Sequence, residues 1–175
     1  MSKLFIGLLF VFLDFTINIG TSKIGLIPDF IGYLFLLNGV GELSEQSNSF
    51  YKIKPAIAFM VFYSIILYAM DFIGLSVSLG MFTYLLGIIS TALSLYILHG
   101  IVSGIMDIEA ASQRDLNSKT LYSVWKVLAV VSILAYFLLL VPGINIIVII
   151  MGFIVHICFL VYFNHSKNLY YSISN

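Results

Sequence analysis

Asp14, Asn18, Lys23 and Asp29 stand close together in the stretch LDFTINIGTSKIGLIPDF, and Asp71 follows Tyr68 further along, in a chain with few other charges. Carboxylates and an amide in such surroundings could hold a proton, a cation or an amine-bearing solute. Placing an ionised acid in a bilayer costs about 2.5–3.5 kcal/mol on insertion scales, so each should face protein or water and find a partner. Asp14 and Asn18 are four residues apart, which sets them on one face of a helix. Ser64, Tyr68 and Asp71 align in the same way on a later one. The candidate ligand-binding set is therefore Asp14, Asn18, Asp29, Asp71 and Tyr68. A structural reading stands beside it. Asp29 follows Pro28, and an acid in a first helical turn interacts with free N–H groups and the helix dipole. Asp71 near a helix C-terminus opposes that dipole, so Lys23 is the expected cation for an ion pair with Asp71 or Asp14.

Two histidines fall inside apolar runs. His99 is followed by Ser103 and Asp107 at four-residue steps, and His156 comes one turn after Gly152. An imidazole titrates near neutral pH, so both are candidates for a proton relay. The alternative is that each ring bonds a neighbouring Ser, Tyr or backbone carbonyl. Catalytic motifs are absent: there is no HExxH, no GxSxG, no paired-glutamate motif of the abortive-infection-type membrane proteases, and no Gly-rich phosphate loop with a lysine. No catalytic residue, cofactor or metal site is assigned. The single cysteine, Cys158, leaves no intramolecular disulfide and no cysteine-rich metal site.

The elements that must position these residues are membrane helices. The 175 residues are 61% hydrophobic and 9% charged. A soluble domain carries about 25% charge, because water must wet its surface. The net charge of zero argues against a nucleic-acid partner, which calls for a basic face. The bilayer is the expected partner. MSKLFIGLLFVFLDF begins like a signal peptide, but Asp14, Phe15 and Thr16 stand where a small-residue cleavage site would be, so it reads as a retained first span.

A bilayer core of about 30 Å needs about 20 helical residues. From Val127 to Asn164 there is no Asp, Glu, Lys or Arg, and Pro142-Gly143 divides the run. From Pro55 to Met106 the exception is Asp71, with GLSVSLG as the turn. The expected fold is an all-α membrane protein, a single domain over residues 1–175. Six transmembrane helices, at about 3–20, 27–44, 55–74, 80–106, 121–141 and 144–165, form three helical hairpins. That arrangement places Lys3, Lys52, Lys54, Arg114, Lys119, Lys126 and Lys167 on one side and Lys23 on the other. The positive-inside rule then makes both termini cytoplasmic.

LDF at 13–15 is echoed by MDF at 70–72, and NGVGELSE at 38–45 by SGIMDIEA at 103–110, as parallel repeated hairpins would require. Gly100 and Gly104 form a GxxxG pair, and Gly87, Ser90, Thr91 and Ser94 continue the small-residue face. Such a face serves close packing within the chain, or against a second copy or another membrane protein.

The segment IGLIPDFIGYLFLLNGVGELSEQSNSFYKIKPAIAF (24–59) resembles a group of small, uncharacterised integral membrane proteins common in Gram-positive bacteria. Their N-terminal third reads similarly, with Leu-Pro-Asp-Phe-Ile-Gly-Tyr and Gly-x-x-Glu-Leu-Ser. The resemblance implies the bacterial cytoplasmic membrane and no particular activity. In size and span number the chain is also similar to the substrate-capturing subunits of energy-coupling-factor vitamin transporters. Those carry an Ala-x-x-x-Ala-type motif on the first helix, where this chain has a lone Gly7. The functional expectation is binding or transport of a small solute or cation through an outward-facing acidic pocket. The alternative is a non-catalytic scaffold, regulator or immunity-type protein whose polar cluster is structural.

Overall fold

The computed structural model describes residues 1–13, 16–19, 22–25, 28–138 and 145–174. In chain order these form α1 (Ser2–Phe12), β1 (Thr16–Ile19), β2 (Ser22–Gly25), α2 (Asp29–Leu43), α3 (Asn48–Phe72), α4 (Leu75–Leu79), α5 (Met81–Ser112), α6 (Ser118–Leu138) and α7 (Asn145–Ser174). Four stretches are long and apolar enough to cross a membrane: Asn48–Phe72, Met81–Ser112, Ser118–Leu138 and Ile146–Ser172. They correspond to the last four expected spans, most of them longer than the apolar run alone indicates. The expected division at Pro142-Gly143 lies outside the described residues.

The first expected span differs, and the second is matched by a helix two residues shorter at its start and one at its end. The helix expected over 3–20 ends at Phe12 after 11 residues, and α2 has 15. At 1.5 Å per residue these reach about 16 and 22 Å, short of a 30 Å core. The physical reason lies in TINIGTSKIG. Its Thr and Ile side chains are β-branched and favour strands, and its Asn and Gly are weak helix formers. The segment pairs as an antiparallel ladder, Thr16 opposite Gly25, Ile17 opposite Ile24, Asn18 opposite Lys23 and Ile19 opposite Ser22. Asn18 therefore lies on a strand, and the expected shared helical face with Asp14 is lost. Asp14 itself is outside the described residues, as is the side chain of Lys23, so the expected Lys23 ion pair falls outside them too.

The helices close a ring in which α1 packs on α2, α2 on α3, α3 on α5, α5 on α6, α6 on α7, and α7 back on α1. Antiparallel α1 and α2 approach closely because glycines face each other. A Cβ on Gly7 would stand 2.8 Å from the Gly32 carbonyl oxygen, and one on Gly39 2.9 Å from the Leu4 backbone nitrogen. Gly100 and Gly104 do the same work between α3 and α5, receiving Ile53 and the Phe50 ring. That GxxxG face is thus filled from within the chain. The turn expected at GLSVSLG contains the short α4, flanked by Gly74 and Gly80 with φ of 72° and 47°. Both values lie where only glycine is unstrained.

One end of the ring gathers the segments richest in cations. Lys3 pairs with Glu42 across α1 and α2. The backbone N–H of Ser2 donates to the Tyr171 hydroxyl at 3.1 Å, and Tyr170 donates to Gln46. Asp107 accepts from Ser47 and Ser49, while Glu109 accepts the backbone N–H groups of Leu116 and Ser118. The N-terminus, the α2–α3 connection, the end of α5 and the end of α7 therefore share one level. Above it the interior is filled by buried Leu4, Leu8, Ile57, Ile101, Phe159 and Phe163.

Candidate functional site

Beyond this core the ring has a member missing. α1 stops at Phe12, and its last residues face a space walled also by α5, α6 and α7. The space left is a cavity of about 180 Å³, joined through shared walls to one of about 400 Å³. Val11 and Phe12, the last two residues of α1, line both. The second cavity is walled by the late part of α6 and the first turns of α7, at the end of the bundle opposite the cations.

The smaller cavity carries the polar groups. Asp29 and Tyr33 enter from α2, four residues apart and hence on one face. Ser90, Thr91 and Ser94 come from α5, Ser132 from α6 and His156 from α7. Tyr33 is 3% exposed, and its hydroxyl shares a 2.7 Å hydrogen bond with Ser94. The Tyr136 phenol donates to the Gly87 carbonyl at 2.7 Å and lies 2.6 Å from Thr91 Oγ1. A phenol has one hydrogen, so the second bond runs from Thr91 to Tyr136. His156 places Nδ1 2.7 Å from the Gly152 carbonyl. A carbonyl only accepts, so Nδ1 carries the proton and Nε2 of the neutral ring presents a lone pair. The larger cavity is mostly apolar, with Leu128, Val131, Val148 and Phe153 in its walls.

Of the residues expected from sequence, Asp29 and His156 meet in this cavity, although they were assigned to different chemistries. Tyr68 and Asp71 do not join them. Tyr68 packs edge-on to Phe30, ring centroids 6.0 Å apart, and Asp71 lies half-buried at the last turn of α3. Ser64, expected to align with them, is turned inward and donates to the Met60 carbonyl. His99 sits in an aromatic cluster, 4.6 Å from the Trp125 ring and 6.1 Å from Tyr122. His99 is not among the residues that line either cavity. No group of three His, Cys, Asp or Glu side chains gathers as a metal would need, again among the described residues.

Tyr33, Ser132 and Tyr136 were not singled out by sequence, and Ser90, Thr91 and Ser94 stood there only as packing residues. The four-residue spacings Asp29–Tyr33 and Ser90–Ser94 are the signals that could have marked them. No known protein family, curated protein or solved structure matches the chain.

Proposed function

We propose that the chain is a multi-pass protein of the bacterial cytoplasmic membrane that binds, and in that way serves transport of, a small solute or cation. The observation that carries this reading is the meeting of Asp29 and His156 with Tyr33, Thr91 and Ser94 in one cavity wall. Ligand sites of this kind combine apolar walls with a few convergent polar groups. Ionisable residues within a membrane bundle point to function by default, because their insertion is costly. The end holding most Lys and Arg is the cytoplasmic one by the positive-inside rule, so both termini are cytoplasmic and the cavity belongs to the outer half. In this reading α1 with β1, and β2 with α2, complete two further crossings. Eleven helical residues and four strand residues add to about 30 Å, the thickness of the hydrocarbon core. Irregular backbone is tolerated at membrane depth only against protein or a water-filled space, and β2 does pack beside α3. The resemblance of residues 24–59 to small membrane proteins of Gram-positive bacteria supports the bacterial setting.

A ligand that binds the folded state alone must raise its stability. A thermal-shift screen of the purified protein against ions and small solutes should therefore give at least one stabilising compound. The gain should vanish in Val148→Phe, which fills the apolar part of the cavity without touching the polar wall. Stabilisation that is unchanged in Val148→Phe would overturn the reading. The scaffold alternative is favoured by one observation, that Tyr33–Ser94 and Thr91–Tyr136–Gly87 satisfy one another. It predicts no stabilising compound and a Val148→Phe protein at least as stable as the parent.

A further inference from the structure

The hydrogen-bonding sense of the cavity wall selects its ligand. The Tyr136 hydrogen is committed to the Gly87 carbonyl, so the Thr91 hydrogen is committed to Tyr136. The Nδ1 hydrogen of His156 is committed to the Gly152 carbonyl. What these three side chains leave for a ligand is acceptor capacity: lone pairs on Thr91 Oγ1 and on His156 Nε2. Asp29 adds a carboxylate to the same wall, and an ionised carboxylate has about four acceptor positions, more than one neighbour fills. The Ser90, Ser132 and Tyr33–Ser94 hydroxyls can turn to either role. Among the described residues no Lys or Arg lines either cavity. An anion would therefore meet lone pairs and a carboxylate, whereas a donor-rich cation meets partners on three helices. The adjoining larger space is apolar, walled by Val131, Val148 and Phe153, and would strip water from a hydrocarbon group.

Resting on the proposed solute-binding reading, we infer that the ligand of this cavity is an organic ammonium carrying an apolar group. Its N–H donors lie against Asp29, His156 Nε2 and Thr91, and its hydrocarbon part lies in the larger cavity. Burying such a cation requires the carboxylate as its counter-charge, since an unpaired buried charge is prohibitively costly.

Four probes of related shape test this by isothermal titration of the full chain in detergent: phenethylamine, 2-phenylethanol, 3-phenylpropionate and ethylamine. Phenethylamine should bind, with affinity at least about tenfold above each of the others. His156→Phe and Thr91→Val should each weaken phenethylamine about tenfold or more, the value of a hydrogen bond to a charged partner. Circular dichroism checks the fold of both variants, and Thr91→Val carries the test where His156→Phe does not fold. Tighter binding of phenylpropionate or phenylethanol would overturn the ammonium assignment and leave the solute-binding reading standing. Equal binding of ethylamine would overturn the role of the apolar cavity. Silence of all four probes on folded protein would overturn the inference, and the solute-binding reading falls with it only if the thermal-shift screen is also empty.

Discussion

Phe12 meets His156 edge-on, with ring centroids 4.5 Å apart and planes at 82°. The contact joins the last residue of α1 to the middle of α7 and is one wall of the cavity. It explains how a helix of 11 residues can close a ring of much longer ones. The same ring packs on Phe159 at 5.9 Å, so the end of α1 is held from two turns of α7.

Phe12→Ala should therefore loosen both the closure and the site. Phe→Ala substitutions in cores cost about 3–5 kcal/mol, and half-buried Phe12 should fall near the lower value. Denaturant titration in detergent measures this. The His156 contact predicts a second effect, loss of ligand-induced stabilisation, which Phe12→Leu should largely restore.

The glycines divide into two groups with opposite expected outcomes. Gly39→Ala drives a Cβ to 2.9 Å from the Leu4 backbone nitrogen, which cannot yield as a flexible side chain would. Overpacking of that kind costs about 1–3 kcal/mol. Gly152→Ala meets nothing within 4 Å and gains helix propensity, worth about 1 kcal/mol at most. Parallel unfolding measurements should give opposite signs. Equal destabilisation by both would mean that the close approach of α1 and α2 is not what these glycines serve.

Much of the helix plan was legible in sequence because lipid-facing helices write themselves as long runs without charge. The stretches 55–106 and 127–164 fixed α3, α5, α6 and α7 to within a few residues at most ends. The end of α1 was not legible for a physical reason. A short apolar run reads alike as helix or buried strand, and TINIGTSKIG offers β-branched residues in a setting that elsewhere makes helices. The site was half legible. Asp29 and His156 stood out as ionisable groups among apolar neighbours, but their meeting depends on α7 returning to α1, a tertiary contact no local pattern records. Tyr33 and Tyr136 were hidden because an aromatic residue in a membrane helix is ordinary, and only the hydrogen-bond partner distinguishes these two.

Asp107 links the α2–α3 connection to the end of α5, accepting from Ser47 and, at 2.7 Å, from Ser49. Ser47 is also the N-cap of α3, accepting the backbone N–H of Ser49. Removing a capping serine costs about 1 kcal/mol, and a hydrogen bond to a charged acceptor about 1.5–3 kcal/mol when buried. Ser47 is buried and Asp107 is exposed, so Ser47→Ala should cost about 1–2 kcal/mol and Asp107→Ala less. A double-mutant cycle should show coupling between them, because the shared bond is lost only once. Additive losses would place the cost of Ser47→Ala in its cap alone.

Asp29 and Asp71 both belong to the candidate set read from sequence, Asp29 with the readier structural account, and the fold separates them. Asp29 lies in the cavity wall. Asp71 ends α3, and no hydrogen bond or ion pair among the described residues reaches its carboxylate. A half-buried acid at a helix C-terminus gains nothing from the dipole, so its neutralisation should cost little. Asp71→Asn should change stability by less than about 0.5 kcal/mol, as surface substitutions usually do. It should also leave stabilisation by any ligand intact. Asp29→Asn keeps the shape and removes the charge, so a cationic ligand should lose most of its stabilising effect while an uncharged one should not. Thermal-shift measurements on the two variants with the same compound decide the matter. Loss of the ligand response in Asp71→Asn, with Asp29→Asn unaffected, would move the site from the interior cavity to the C-terminal end of α3.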